Sequence, residues 1–341
     1  MPINNASNLQ ARGRLIELLR TNRPLAVTGA GVSVWAGYPP WSGVIRDLGE
    51  AVRRQTRDEV NPEIVIRNNT NPLHCAQRLG TYLGPKFADF IRSEFGPNGT
   101  TPHDVLFKIV SLPFRHFLSF NFETSGERAH VALRRPCGCI SVTSRHDIVV
   151  FMRELETQDY GRQFVHLHGM FTDPPELIAL TEEGFSRLYH KDPFFQNLLW
   201  LLVTSKRLVF LGLSFHDTDF THLLRTAARD VRDNGLAHFA IVGIEANKDD
   251  DQVRYMFNDD YLVDPIFYEL DVDAANRHRG FVELINGISA ELALAPLATT
   301  PDMLQVNVNV PQPAPEDLRR AEQLGDALLE RVDPGGDGVQ G

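Results

Sequence analysis

TGAGVSVWAGYPPW, Thr28 to Trp41, is the stretch that decides the fold. An apolar run from Pro24 to Val27 leads into it, and Gly29-Ala30-Gly31 breaks that run. The small polar Ser33 follows, and Gly37-Tyr38-Pro39-Pro40 makes a second break. Strand, glycine turn and helix start together build a pocket for phosphate. The glycines let backbone amides approach a pyrophosphate, and the helix start adds partial positive charge. The third glycine of the dinucleotide fingerprint is missing, so this turn alone reads equally as an ordinary tight connection.

The rest of the chain supports an α/β reading. RLVFLGLSF (207–215) and HFAIVGIE (238–245) are near-continuous apolar runs of strand length. Such runs suit strands buried on both faces of a parallel sheet. SLPFRHFLSFNFE (111–123) predicts a buried strand that ends in polar residues, and FVHLHGMF (164–171) predicts a strand running into a glycine turn. Helices are expected over 8–20, 72–94, 102–112 and 182–205, whereas 130–143 reads as turn-rich and irregular. Strands interleaved with helices give a Rossmann-like, doubly wound parallel sheet, with a smaller helical insertion. This catalytic domain is expected over residues 1–290. Residues 291–341 read as a proline-rich arm with an alternating piece at 305–310, a charged helix at 315–332 and a disordered end.

Composition excludes several classes. A formal net charge of −10 argues against a dedicated nucleic-acid binder. The most apolar stretch, Phe194 to Leu213, is interrupted by Gln196, Asn197, Ser205, Lys206 and Arg207. It falls short of the roughly 20 apolar residues that a membrane span needs. Three cysteines (75, 137 and 139) and no signal-peptide pattern predict a reduced, cytoplasmic protein.

Four further motifs carry polar groups at strand ends. In SFNFE, Asn121 and Glu123 lie two apart with Phe120 and Phe122 between and before them. At period two they share a side, or they form a solvated turn. In VHLHGM, His166 and His168 admit three readings: a metal pair, a general base with a near-neutral pKa, or satisfied structural histidines. GLSFHDTDF places Gly212 and Ser214 after a strand, with Asp217 and Asp219 near a helix start where capping is the ordinary role. Cys137-x-Cys139 has no second pair, which argues against a structural zinc, and Cys75 reads as core.

The order of these motifs is what carries information. GAGVS, AGYPPW, an asparagine at a strand end, HG and G-x-S follow one another as in sirtuin domains. The chain resembles the silent-information-regulator (sirtuin) superfamily over roughly residues 10–290. The lesser matches LTEEGFSRLY and SKRLVFLGLSFHDTDF point to its bacterial, defence-associated branch. The resemblance implies an NAD+ site in which Gly29, Ala30, Gly31 and Ser33 line the pyrophosphate and nicotinamide-ribose side. It further implies that Asn121 contacts the nicotinamide ribose and places water, with His168 as catalytic base. Glu123 stands where the family usually has the aspartate that contacts the carboxamide. Gly212 and Ser214 match a second phosphate and ribose loop, and Trp41 keeps an aromatic lid. The family's Pro-Asp-Phe-Arg is Pro39-Pro40-Trp41-Ser42 here. The four zinc cysteines of lysine-deacylating members have no counterpart after residue 139, so no metal is expected and water is the default acceptor.

The expected reaction is therefore NAD+ hydrolysis to ADP-ribose and nicotinamide, with NAD+ as substrate. The resemblance implies an anti-phage effector that acts by NAD+ depletion, as in abortive infection. Its control would come from homo-oligomerisation or from a partner such as a ring-forming ATPase or another defence protein. Competing readings are a non-catalytic NAD- or ADP-ribose-binding subunit and a zinc-free protein deacylase.

Overall fold

The computed structural model describes residues 3–294, except 4, 22, 58, 70, 98, 100–101, 156, 158–160, 216–217, 232–237, 247–249 and 274–276. Helix α1 (Ala6–Thr21) precedes β1 (Leu25–Thr28), which enters the one-turn helix α2 (Ala30–Ser33). A helical block follows: α3 (Trp41–Thr56), α4 (Pro62–Arg67), α5 (Pro72–Leu83) and α6 (Lys86–Phe95). Then come α7 (Asp104–Ser111), β2 (Phe117–Ser119), α8 (Ser125–Ala132), β3 (Gly138–Ser141), α9 (Arg145–Glu154) and β4 (Gln163–His166). The second half holds α10 (Glu182–Lys191), α11 (Pro193–Ser205), β5 (Leu208–Leu211), α12 (Thr218–Val231) and β6 (His238–Ile244). It closes with α13 (Asp250–Tyr261), β7 (Val263–Glu269) and α14 (Arg279–Leu294). Residues 291–294 thus end α14; the remainder of the expected arm, including 305–310 and 315–332, lies outside the described residues.

Several helix starts share one chemical device. Asn61-Pro62, Asn71-Pro72 and Asp192-Pro193 each put a capping oxygen at the N-cap and proline at the first helical position. The side chain accepts an orphan backbone N–H, and proline has none to waste.

All seven strands of the sheet are parallel, in the order β3-β4-β2-β1-β5-β6-β7. This is the doubly wound architecture expected from the apolar runs. Period two sorts the strand side chains into two cores. Ala26, Phe117, Phe164, Val209 and Ile266 face one cluster with α1, α7 and α14. Val27, Leu118, Val165, Phe210 and Ala240 face the other with α9, α11, α12 and α13. Each fully buried Phe or Leu contributes roughly 1.5–3 kcal/mol. No single helix decides the fold.

The helical block α3–α6 is the expected insertion. It has its own core around Leu48, Leu79 and Ile91, which also takes in Phe122, Ile178 and Leu180. Those three follow β2 and β4, so the block rests at the C-terminal end of the sheet. Cys75 is buried in it, as expected.

Two strands escape the sequence patterns. β3 falls in the segment expected to be irregular, and β7 carries Asp264 and Pro265 near its start. β7 is an edge strand, where proline is tolerated. Asp264 is buried but receives Arg14 Nη2 at 2.6 Å and Arg254 Nη1 at 3.2 Å. Asn8 of α1 covers the free edge, accepting from Phe267 N at 2.7 Å and donating to Phe267 O at 2.9 Å. Among the described residues no helix is long and apolar enough to cross a membrane.

Candidate functional site

Chain connections leave β1 toward β2 and leave β5 toward β6, on opposite sides of the sheet. In an open parallel sheet, this reversal leaves a crevice beyond the strand ends, where ligands bind. Thr28 pairs with Leu211, so the two strands end level and their loops emerge side by side. Gly29 N donates to Leu211 O and Gly31 N to Gly212 O, both at 3.0 Å. A Cβ on Gly29 would stand 2.7 Å from Gly212 O, and one on Gly212 would stand 2.6 Å from Val32 N. Gly212 also has φ +63, which favours glycine. The glycines thus serve close packing of the two loops on each other. The Gly31 and Val32 amides are already taken, the second by Gly29 O. Helix α2 is four residues long. Both facts leave less free amide for a pyrophosphate than the sequence pattern promised.

Asn121 follows β2 and is buried, with its Nδ2 donating to Gly29 O at 3.0 Å. Its own N–H donates to Ser119 Oγ at 3.1 Å, which turns the chain at the strand end. Glu123 is also buried. Its carboxylate accepts Ser33 Oγ at 2.6 Å and the N–H of Ser125, the first residue of α8. A carboxylate at a helix start is favoured by the unsatisfied amides there. Ser33 and Glu123, ninety residues apart in sequence, thereby join α2 to α8. A cavity of about 20 Å3, room for one water molecule, is bordered by Ser119, Asn121, Glu123, Ser125 and Glu127.

The two histidines on β4 and beyond take different environments. His166 is fully buried, with Nδ1 2.8 Å from Asn121 O and Nε2 2.6 Å from Glu127 Oε1. Burial disfavours its charge, but the Glu127 charge and the hydrogen bonds that His166 makes to Cys139 and Glu127 outweigh that and hold its pKa well above the ordinary histidine range. Cys139 Sγ lies 3.3 Å from the same Glu127 oxygen. Cys139 is exposed as a residue, but its thiol is turned onto the buried Glu127 carboxylate, and that desolvation pushes it up. His168 sits two residues on, packed on Phe120 with ring centres 4.6 Å apart and bonded through Nε2 to Tyr189 OH at 2.9 Å. Burial pushes it down to about 3, so it is neutral at physiological pH. Gly169 (φ +86) turns the chain, and Asp173 pins the turn by accepting Met170 N at 2.8 Å and Ser141 Oγ.

The structure therefore brings Gly29, Gly31 and Gly212 together, ties Asn121 to Gly29, and ties Ser33 to Glu123. Ala30 lies within the same loop as α2 begins. His168 neighbours this group through Phe120, the residue before Asn121. Ser214 is exposed beyond β5. Trp41 opens α3 and lines a separate pocket of about 460 Å3 with Ser42, Ile45, Arg46, Glu63, Ile66, Asn69, Pro72 and Cys75. Tyr38, from the same AGYPPW stretch, donates to Gly96 O and accepts Arg128 Nη2, both at 2.9 Å. Glu127, Cys139 and Tyr189 were missed as partners of the histidines. Helix α8 was not read from sequence, so Glu127 had no face on which to be placed.

Comparison with known proteins places part of the chain beside one family. Residues 115–266 match the SIR2-like domain family. The match spans β2 to β7 and includes Asn121, Glu123, His168 and Gly212, while the Gly29 loop precedes it. Over 230 residues the chain is 26% identical to the NAD(+) hydrolase ThsA of Acinetobacter baumannii (strain 532279). That alignment covers 67% of this chain and 44% of the relative, so the match spans less than half the length of that protein.

Proposed function

We propose that this chain, whose residues 115–266 match the SIR2-like domain family on a doubly wound parallel sheet, is an NAD+ glycohydrolase that converts NAD+ and water to ADP-ribose, nicotinamide and a proton. The observation that carries this reading is the position of Asn121. Its amide stands at the switch-point crevice, bonded to the first glycine loop, with His168 on the neighbouring strand's continuation. The relative's hydrolase activity supports the reaction class.

The chemistry asks little covalent work of the protein. Nicotinamide is a good leaving group on a cationic ring, and the ribose passes through an oxocarbenium-like state as the bond breaks. The site must hold the ribose, release nicotinamide and deliver water to the anomeric carbon. The Asn121 amide has a donor and an acceptor for a ribose hydroxyl and that water, once NAD+ displaces the Gly29 bond. Neutral His168 accepts a hydrogen bond and, at the end, the proton from the attacking water. Its buried site makes it a weak base, which suits a reaction led by departure of the leaving group.

The need for a restraint follows from the chemistry. An unrestrained NADase empties its own cell of NAD+, so the activity needs a restraint. We assign the chain to anti-phage defence by NAD+ depletion, restrained by self-association or a protein partner. One observation favours a second reading, a subunit that binds NAD+ or ADP-ribose without cleaving it. The Glu123 carboxylate is occupied by Ser33 and Ser125, not offered to a carboxamide.

The deciding experiment measures nicotinamide and ADP-ribose release by the purified chain, with Asn121→Ala and His168→Ala in parallel. Release that disappears in both variants supports the glycohydrolase. Saturable NAD+ binding with no release, alone and with neighbouring gene products, decides for the binding subunit.

A further inference from the structure

We propose that Glu127, Cys139 and His166 form a binding site for one zinc-class divalent cation. The three come from α8, β3 and β4, and their donor atoms all lie within 4.8 Å of one another. Their chemistry is a thiolate, an imidazole and a carboxylate, which selects zinc over magnesium or calcium.

The convergence is specific. Glu127 Oε1 stands 2.6 Å from His166 Nε2 and 3.3 Å from Cys139 Sγ. A buried ion pair explains the first contact but not the thiol on the same oxygen. In a tetrahedral zinc site with bonds of about 2.0–2.3 Å, donor atoms lie roughly 3.3–3.8 Å apart. The thiol is at that spacing already, and the histidine pair needs to open by about 0.7 Å.

The surroundings are those of a ligand set. His166 Nδ1 is held by the Asn121 carbonyl at 2.8 Å. A metal-binding histidine commonly donates its other ring N–H to a backbone carbonyl, which fixes the tautomer and aims the free nitrogen. His166 and Glu127 are buried, whereas Cys139 is exposed, so a cation has a route in from the β3 side. Met170 Sδ lies 3.6 Å from Cys139 Sγ, so a second sulfur stands beside the cluster.

The exchange balances. Without metal, the imidazolium N–H and the thiol S–H both point at one carboxylate oxygen. A divalent cation replaces those two protons, Cys139 binds as thiolate and His166 as neutral imidazole. Two protons leave, two positive charges arrive, and the charge of the buried cluster is unchanged.

The test uses the full chain, reduced, stripped with a chelator and titrated with Co2+. One equivalent is expected to bind, with a thiolate-to-cobalt charge-transfer band and the intense visible bands of a four-coordinate ion. Zn2+ should displace it. Apo protein titrated with Zn2+ in weak buffer should release about two protons per ion. Cys139→Ser should lose the charge-transfer band with an unchanged circular dichroism spectrum, while Cys75→Ser and Cys137→Ser keep it. Glu127→Gln should keep the band and weaken binding roughly tenfold or more. Wild-type chain with no stoichiometric band, a band that survives Cys139→Ser, or undiminished affinity in Glu127→Gln overturns the site. None of these readouts involves NAD+, so they are independent of the function proposed above.

Discussion

Asn121 Nδ2 and Gly29 O are 3.0 Å apart, and this one bond joins the loop after β2 to the loop after β1. The Gly29 loop is in turn packed on Gly212. The ends of β1, β2 and β5 are therefore linked through the Gly29 loop, and Asn121 is the side chain in that link to remove.

Asn121→Ala should abolish measurable nicotinamide release, a loss of about 10²-fold or more if the amide orients ribose and water. The fold should survive, because a single hydrogen bond contributes only about 1 kcal/mol. Assaying release beside a thermal melt separates the two effects. Wild-type turnover in a folded variant would remove Asn121 from the site.

Gly212→Ala places a Cβ 2.6 Å from the Val32 nitrogen at a φ of +63. That contact cannot relax cheaply, since its partner is backbone. A destabilisation of roughly 1–3 kcal/mol is expected, read as a lower urea midpoint at unchanged slope. NAD+ turnover should fall too, because the two loops can no longer seat against each other.

His238 opens β6, buried, with Nδ1 accepting Leu208 N at 3.2 Å. Burial pushes it down to about 4. The unfolded chain takes up that proton near pH 6.5, whereas the folded chain resists until about 4. Stability from this group is therefore complete above 6.5 and is lost as pH falls toward 4, by at most about 1.4 kcal/mol per pH unit. Urea unfolding of wild type and His238→Gln from pH 7 to 4.5 should show a shallower slope in the variant; parallel slopes would refute the assignment.

Glu94 on α6 predicts the opposite slope. Burial, then the nearby Asp47 charge, raises it to about 7, and its Oε1 is buried without a hydrogen-bond partner. The folded chain keeps this proton after the unfolded chain has released it, so stability is highest below pH 4.5 and is lost as pH rises to about 7. Glu94→Gln should be the more stable protein at pH 8, while the advantage should vanish at pH 5. Equal midpoints at both values would show that the carboxyl is not strained.

Much of the architecture was legible because it rests on local composition. The runs at 207–215 and 238–245 are apolar on both faces, and only a sheet covered on both sides buries both. The Asn-Pro and Asp-Pro pairs mark helix starts by chemistry that acts within three residues. β3 and β7 were not legible for the converse reason. Both are edge strands, and an edge tolerates a Gly138 or a Pro265 that an interior strand would not. Buried Asp264 is acceptable only because Arg14 and Arg254 reach it from α1 and α13.

The site divides in the same way. The sequence by itself determined the candidate list, Gly29, Ala30, Gly31, Ser33, Trp41, Asn121, Glu123, His168, Gly212 and Ser214, through the order of its motifs and the family resemblance that this order carries. Tertiary structure alone decided what those residues touch. It spent the Gly31 amide on Gly212, gave the Glu123 carboxylate to Ser33, and set His166 rather than His168 against Glu127 and Cys139. Strand periodicity reports which side of a sheet a residue faces. Which partner waits on that side depends on strand order and on the helix packed above it, and those are properties of the whole chain.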